Sequence, residues 1–276
     1  MTPATPRWSL ARRGAFGALL ALTMASSTFA FTTFSVLSSP LLDTFDISRW
    51  QLGALVTATA VLGAVLSPPL GRVSDRIGGR NALTLTLAVS GAALAGIALS
   101  PVYLLVVAAA LAGGVGQAAA NPATNKLISL HIADGGRGMI TGIKQSGVQV
   151  GVFLGGSLLP LGATTIGWRP TLLLCALGPL IGLVLARRIV PDDADTDDDS
   201  SDMAVLGAPA RSPFLLRLAV YGLLVGAGWS AVFTYLPDYA QNALGWSQTT
   251  AGLLVSAAGI CGISGRIGWS WFAEHR

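Results

Sequence analysis

Two basic residues interrupt segments that are otherwise apolar. Lys144 lies in the segment Gly142-Ile-Lys-Gln-Ser-Gly147, and Arg266 lies in Gly265-Arg-Ile-Gly-Trp269. An ionisable side chain inside an apolar helix costs on the order of several kcal/mol, so such residues are functional candidates. A guanidinium binds a carboxylate through two parallel hydrogen bonds, and a lysine adds a point charge. The two cations are therefore candidates to bind a negatively charged group.

Other interpretations of the two cations stay open. A long basic side chain near the end of a membrane helix can extend its charged head to the aqueous face. This alternative applies most to Lys144, which lies closer to the end of its segment. Arg266 could instead pair with an acid in a helix outside this sequence.

Uncharged side chains could complete a substrate cavity near the cations. Each is a weak signal alone, because Asn and Gln also bridge helices and aromatic residues also fill lipid-facing grooves. The candidates are Asn121 and Asn125 in the fourth apolar segment, Gln145 in the fifth, and Trp229 and Tyr235 in the seventh.

The placement of the acids argues against a carboxylate-based proton cycle, and the placement of the histidines argues against catalysis. All thirteen acids, Asp238 among them, are expected in loops or at segment ends, so no buried carboxylate is expected to carry a proton. The pattern Gly262-Ile-Ser-Gly265 resembles that of intramembrane serine proteases, which need a histidine base at membrane depth. His131 and His275 lie in segments outside that depth. We therefore expect no enzyme.

Metals, cofactors and nucleic acid are not expected as partners. The acidic stretch 191–202 has neither the turn glycine nor the closing glutamate of a calcium loop. Cys175 and Cys261 lie in apolar runs without a CxxC spacing, so both are interpreted as packing residues. The basic residues are spread over several loops rather than gathered into a patch with aromatic residues.

Composition predicts a polytopic all-α membrane bundle. Hydrophobic residues form 52% of the 276 positions and charged residues only 11%, which is too apolar for a soluble globule. A membrane helix needs about 20 apolar residues, and its backbone must be paired internally. The first apolar run continues past the length of a secretory signal and is therefore a retained span. The predicted spans are 14–38, 51–70, 81–100, 102–124, 139–160, 168–187, 214–237 and 249–268.

The basic residues predict a cytoplasmic N-terminus in the cell inner membrane. With that orientation only Arg49 and Arg169 lie on the outer side, as the positive-inside rule requires. Trp50, Trp168 and Trp246 fall at outer span ends, where indole rings are enriched. The basic residues placed at the cytoplasmic side are Arg7, Arg12, Arg13, Arg72, Arg76, Arg80, Lys126, Arg137, Arg187, Arg188, Arg211, Arg217 and Arg276.

An internal repeat divides the chain. A shift of 199 positions, the difference between 252 and 53, aligns Gly53-x-Leu-Val-x-Ala58 with Gly252-x-Leu-Val-x-Ala257, and Asp75 with Glu274. Parallel repeats of six spans are one way in which transporters are built. We expect a six-helix bundle over 1–190, an acidic cytoplasmic linker over 191–212, and two helices of a second bundle over 213–276. The register predicts four further helices after Arg276.

The segment after the second span, Gly71-Arg-Val-Ser-Asp-Arg-Ile-Gly-Gly-Arg80, resembles a signature loop of the major facilitator superfamily. Its second copy, 270–276, keeps only the acid Glu274. The resemblance implies the major facilitator fold and a gating loop that latches the two halves at the cytoplasmic side. Gly71 would permit close helix approach, Gly78 the turn, and Asp75 would face a helix N-terminus. The matching gating residues are Gly71, Asp75, Arg76, Gly78 and Arg80.

Departures from the superfamily's patterns limit the assignment of a substrate. Gly79 stands where relatives often have a basic residue, and Ala110 where many have an arginine linked to proton coupling. Drug antiporters carry a proline after the second glycine of the fifth span, where this chain has Val152. The glycines of that span lie on one helical face and predict close packing: Gly147, Gly151 and Gly155.

The sequence predicts a secondary transporter of a small organic anion that works by alternating access. The place of Arg266 resembles the eighth-span arginine of monocarboxylate and oxalate transporters. A coupling proton or counter-substrate, the lipid bilayer and a monomeric state are the expected partners and assembly. The alternatives are efflux of apolar drugs and a truncated remnant that does not transport.

Overall fold

Every regular element in the described part of the chain is an α-helix. The computed structural model describes residues 10–132, 137–191 and 213–274, and for residues 10, 11, 215 and 266–274 it describes the backbone only. The helices are α1 (Leu10–Val36), α2 (Ser38–Phe45), α3 (Arg49–Ile77), α4 (Gly79–Leu99), α5 (Tyr103–His131), α6 (Arg137–Thr165), α7 (Trp168–Ile189), α8 (Pro213–Asn242) and α9 (Gln248–Glu274).

Seven of these helices are long and apolar enough to cross a membrane, and they match the first seven predicted spans. They are α1 and α3 to α8, so the prediction of a multi-pass helical membrane protein is confirmed. The eighth predicted span coincides with α9, a 27-residue helix whose side chains are described only as far as Gly265. Helix α9 is not among the seven.

The gating segment is mostly helical, which corrects the prediction of a loop from Gly71 onward. Helix α3 continues to Ile77, and the chain turns only at Gly78, where φ is +85° and a side chain would be strained. Helix α3 even includes Pro68 and Pro69, which have no N–H to donate. Pairing backbone groups inside the helix is favourable near a membrane, so the helix extends beyond its apolar stretch.

Hydroxyl side chains in α1 are buried without cost to the apolar core because the helix itself satisfies them. Thr23, Thr28 and Thr33 each donate to the carbonyl oxygen four residues earlier, over 2.9, 2.9 and 3.0 Å. A buried hydroxyl that lacks such a partner would cost roughly 1–3 kcal/mol. Helix α1 can therefore pass through the middle of the bundle, where it contacts α4, α5, α6, α7 and α8.

The glycine face of α6 packs directly on the backbone of α1. A Cβ atom at Gly147 would collide with the backbone of Ala21, and one at Gly151 would lie 2.8 Å from the carbonyl oxygen of Ala25. At Gly155 the collision would be with the side chain of Thr32. The three glycines thus form the close-packing face that their spacing predicts.

Two buried apolar clusters hold the two ends of the bundle. We name the ends after their turns: the Gly78 end, where α1 begins, and the Gly167 end, where α6 turns into α7 with a φ of +95°. Phe16, Leu20, Leu83 and Leu127 belong to the cluster at the Gly78 end. The cluster at the Gly167 end includes Phe34, Leu41, Ile97 and Leu159.

We expect Gly147→Ala to destabilise the protein because the added methyl group meets the α1 backbone, which cannot move as a side chain can. Overpacking of this kind costs typically about 1–3 kcal/mol. The measurement is the thermal unfolding midpoint of purified protein in detergent.

The matched control is Gly142→Ala in the same helix, where nothing lies within 4 Å of the added atom. Both changes raise helix propensity equally. Equal midpoints for the two variants would contradict the close α1–α6 contact.

Candidate functional site

Lys144 is fully buried, with 1% of its surface exposed, although its helix is a membrane span. Its Nζ donates a hydrogen bond of 2.6 Å to Oδ1 of Asn125 on α5. The lysine therefore turns into the bundle and does not extend to the aqueous face, so the structure does not support the alternative interpretation of this residue. Two residues predicted for the site, Lys144 and Asn125, are in direct contact.

The helices around Lys144 offer almost no negative charge. Helix α6 packs against α1, α5, α7 and α9, and in these five helices the single acidic residue is Glu274 at the end of α9. Within the described residues the one ion pair joins Arg49 and Asp238, so Lys144 has a neutral partner instead. A buried ammonium with one neutral acceptor is an incomplete electrostatic arrangement, which an anion can complete.

The lysine also fixes the orientation of the amide that contacts it. An ammonium only donates hydrogen bonds, so the oxygen of Asn125 must face Lys144 and its NH2 group points away. Asn125 is exposed, and this NH2 group therefore lies on the open side of α5. On the same side Nε2 of Gln145 donates to Oδ1 of Asn121 over 3.4 Å. The surface offers amide donors backed by a positive charge.

Two further amides belong to this region and were missed from the sequence. Gln117 is exposed one turn before Asn121, so Gln117, Asn121 and Asn125 form a row along one face of α5. Their i, i+4, i+8 spacing was the signal that could have identified the row. On α6, the side chain of Gln149 occupies the space beside Gly262, where a Cβ would collide with its Oε1.

Helices α6 and α9 run antiparallel and touch closely. The hydroxyls of Ser157 and Ser256 are 2.8 Å apart, and Ser256 also donates to the carbonyl oxygen of Phe153 over 3.1 Å. The contact continues to Gly262, beside Gln149. The side chain of Arg266, one turn further along α9, lies outside the described part of the chain, as does that of Glu274.

The two predicted aromatic residues lie apart from Lys144. Trp229 is 60% exposed and stacks on Phe233 with ring centres 5.8 Å apart, and Phe233 stacks in turn on Phe31 of α1. Tyr235 lies at the Gly167 end, where its hydroxyl fills the space beside Gly53 and is 3.4 Å from the carbonyl oxygen of Arg49. The structure therefore does not bring Tyr235 to the amide row.

Asp238 is buried, which corrects the prediction that no carboxylate would be. It is 7% exposed because α8 continues beyond the predicted end at 237 and packs on α1, α2 and α3. Its Oδ2 accepts a bond of 2.7 Å from Nε of Arg49, and its Oδ1 accepts from Asn242 over 3.0 Å. Both partners of Asp238, Arg49 and Asn242, lie at the Gly167 end and not beside the amide row.

The segment predicted to act in gating is held by hydrogen bonds to backbone carbonyl groups. Lys126 donates to the carbonyl oxygen of Asp75 over 2.7 Å, and Arg80 donates to that of Arg187 over 3.0 Å. The side chains of Asp75 and Arg76 are exposed on the last turns of α3. Lys126 and Arg80 thus tie the Gly78 turn to α5 and α7.

Gly79 and Gly71 differ in their surroundings. A Cβ at Gly79 would lie 2.6 Å from Cδ2 of Leu127, so a larger side chain at this position would require Leu127 to move. At Gly71 nothing lies within 4 Å of the added atom, so no described residue makes the expected close approach. That role of Gly71 stays a prediction.

Comparison with known families decides what kind of protein this is. The sequence model of the Major Facilitator Superfamily matches residues 19–276, nearly the whole chain. The chain belongs to the major facilitator superfamily. This superfamily consists of transporters rather than enzymes, in agreement with the prediction that the chain is not an enzyme.

Solved structures of the major facilitator superfamily share the fold. Two are crystal structures of a bacterial homolog to the human lysosomal transporter Spinster, both inward-facing, one occupied and one unoccupied. They superpose with TM-scores of 0.75 at 17% and 16% identity and cover 92% of this chain. A D-xylose-proton symporter gives 0.64 at 20% identity over 90% of the chain. The chain spans 60%, 61% and 66% of these proteins.

We expect Asn125→Leu to destabilise this superfamily member because it leaves the buried ammonium of Lys144 without its described acceptor. A hydrogen bond to a charged group contributes roughly 1.5–3 kcal/mol. The double variant Lys144→Met/Asn125→Leu removes both polar groups and is expected to recover most of that loss. Thermal unfolding midpoints of the single and double variants provide the measurement. A double variant less stable than Asn125→Leu would exclude the contact as the cause.

Proposed function

We propose that the protein is a secondary transporter of a small organic anion, and that the anion binds beside Lys144 and the amide row. The buried, uncompensated ammonium at the base of two exposed asparagines carries this proposal. A carboxylate could accept hydrogen bonds from the NH2 groups of Asn121 and Asn125 while its charge offsets that of Lys144. A neutral solute would make the hydrogen bonds without compensating the charge.

Helix register supports Arg266 as a second cation of the same site. Gly252 of α9 faces Pro160 of α6, Ser256 faces Phe153 and Ser157, and Gly262 faces Gln149. Residue numbers therefore rise along α9 as those of the facing α6 residues fall. The same spacing puts position 266 of α9 at the level of Gln145. In this proposal Arg266 holds the carboxylate and Lys144 assists, as the sequence predicts.

Efflux of apolar drugs is the second candidate function. It is favoured by the aromatic stack of Trp229, Phe233 and Phe31 between α8 and α1, which offers a flat apolar surface of the kind that such solutes need. The Lys144 site would then serve only to hold α5 and α6 together. The two candidates predict opposite responses when Lys144 is neutralised.

Alternating access in this proposal uses the difference between the two ends. At the Gly167 end α8 is joined to α1, α2 and α3 by Ser35–Phe233, Ser39–Gln241 and Arg49–Asp238 contacts. Towards the Gly78 end, the described residues of α8 from 213 to 229 are exposed. With the Gly78 end in the cytoplasm, as positive-inside bias predicts, this conformation is open inward. The similar Spinster homolog structures are also inward-facing.

The remaining parts of the proposal concern the domains, the driving force and the assembly. A bundle formed by residues 1–190 would rock against one that begins at 213, with the acidic segment 191–212 as tether. A coupling proton or a counter-substrate would drive transport across the cell inner membrane. We propose a monomer as the working unit.

We expect Lys144→Met to reduce organic-anion uptake into proteoliposomes at least about tenfold, because one well-placed ionic contact contributes about 1.5–3 kcal/mol. The measurement compares the uptake of radiolabelled mono- and dicarboxylates with that of an apolar cationic dye. The protein used is the chain of 276 residues. Arg266→Ala is expected to act in the same direction.

The control for Lys144 is Arg188→Met, which removes an equal charge from an exposed position at the Gly78 end without touching the amide row. Anion uptake unchanged in both Lys144→Met and Arg266→Ala would reject the anion proposal. Dye efflux that persists in those variants would favour the drug alternative, and absence of all uptake in the unmodified chain would favour a remnant.

We expect Asp238→Asn to open the Gly167 end more often because it removes the charge that Arg49 contacts. The measurement is the labelling rate of Ser35→Cys, a 1% exposed position, by an impermeant maleimide with Cys175 and Cys261 changed to serine. A partly exposed ion pair contributes about 0.2–1 kcal/mol, so a rise of up to roughly fivefold is expected.

The matched control is Arg169→Gln, which breaks bonds among α2, α4 and α7 at the same end without touching α8. An equal rise in the labelling rate of this control would mean that any substitution at the Gly167 end loosens it. An unchanged rate in Asp238→Asn would show that the ion pair does not hold this end closed.

A further inference from the structure

A groove of about 470 Å³ lies between α1, α6 and α7, away from the amide row. That volume falls within the range of roughly 300–1,000 Å³ typical of small-molecule sites. Its walls are apolar apart from a few hydroxyls and the half-buried thiol of Cys175. The residues that define it include Leu22, Phe29, Leu158, Leu174, Cys175 and Gly178.

The groove is open to the bilayer. Leu158, Leu161 and Leu174 line it and are 47%, 53% and 57% exposed, and all three belong to membrane spans. Gly178, which has no side chain, forms the floor of the groove, and nothing lies within 4 Å of the place where its Cβ would be. Whatever fills this concavity is therefore apolar and comes from the membrane.

The groove cannot be part of the substrate route between the halves. On α6, Leu154, Leu158 and Leu161 line the groove, whereas Phe153 and Pro160 contact α9. At 100° per residue the centres of these two sets lie about 120° apart around the helix, so they occupy different faces. Rocking of α9 against α6 would leave the groove on the lipid side throughout.

The shape of the groove points to an occupant with a polar end at the Gly167 side. Its walls run from Gly178 in the middle of α7 to Thr165 and Thr171, next to the turn at Gly167. These two residues are the polar lining nearest the Gly167 turn, and their hydroxyls donate to the carbonyl oxygens of Leu161 and Gly167. Trp168 lies between them in the sequence, and indole rings favour the membrane interface.

We propose that the groove binds one acyl chain of a membrane phospholipid from the leaflet at the Gly167 end, with the headgroup above Thr165 and Thr171. The acyl chain of the lipid fills the space left by Gly178 and completes the packing of α1, α6 and α7. This site is independent of the anion proposal, and its occupant is a structural lipid rather than a transported solute.

The test uses a phosphatidylethanolamine with a photoactivatable diazirine in its acyl chain, added to the purified full chain in nanodiscs. We expect crosslinks to concentrate on peptides from 154–179. Gly178→Leu adds a side chain at the floor of the groove, where nothing lies within 4 Å of the new Cβ atom, and is expected to reduce these crosslinks severalfold. The control, Gly222→Leu on α8, adds the same side chain at an equally open position and is expected to leave them unchanged.

A second measurement avoids folding effects. Cys175 in the folded Cys261→Ser protein is modified with N-ethylmaleimide, which fills the groove after folding, and crosslinking is repeated. Crosslinks spread evenly over all lipid-facing helices, or insensitive to both changes, would overturn the site. In a parallel sample of the unalkylated Cys261→Ser protein treated with the oxidant copper phenanthroline, disulfide-linked dimers through Cys175 in place of lipid adducts would show that a second copy of the chain occupies the groove.

Discussion

Close contact between α6 and α1 is the constraint on which the rest of the structure depends. Because Gly147, Gly151 and Gly155 allow the two backbones to touch, one face of α6 is buried against the bundle while another stays exposed. Lys144 lies on the buried side and, within the described residues, bonds only to Asn125. The other faces of α6 remain available to α9 and to the bilayer groove. One helix thus serves packing, charge placement and lipid contact at once.

Much of this fold follows from the sequence because membrane helices are specified by long apolar runs. The seven spans, the packing face of α6 and the turn at Gly78 could be predicted from length and glycine spacing. Helix ends could not, since α3 and α5 continue through polar residues to Ile77 and His131. Hydropathy marks the apolar part of a helix, whereas the backbone remains hydrogen-bonded beyond it.

The site was predicted only in part, for a physical reason. Asn121, Asn125, Lys144 and Gln145 were found because polar groups stand out against apolar neighbours, and two helices bring them together. Which way a side chain turns depends on partners distant in sequence. The chemistry of Lys144 alone permits its side chain either to extend to water or to turn inward. The sequence also does not show that Asp238 meets Arg49, because the two residues are 189 positions apart. Pairings of this kind are tertiary information.

The adjacent prolines in α3 have a mechanical consequence for the end that carries Asp75. Neither Pro68 nor Pro69 has an N–H, so the carbonyl oxygens of residues 64 and 65 receive no helical hydrogen bond from them. The helix is locally softer there, with Gly53 and its contacts on one side and the gating turns on the other. A displacement of the Asp75 end would therefore bend α3 at these prolines more readily than elsewhere along the helix.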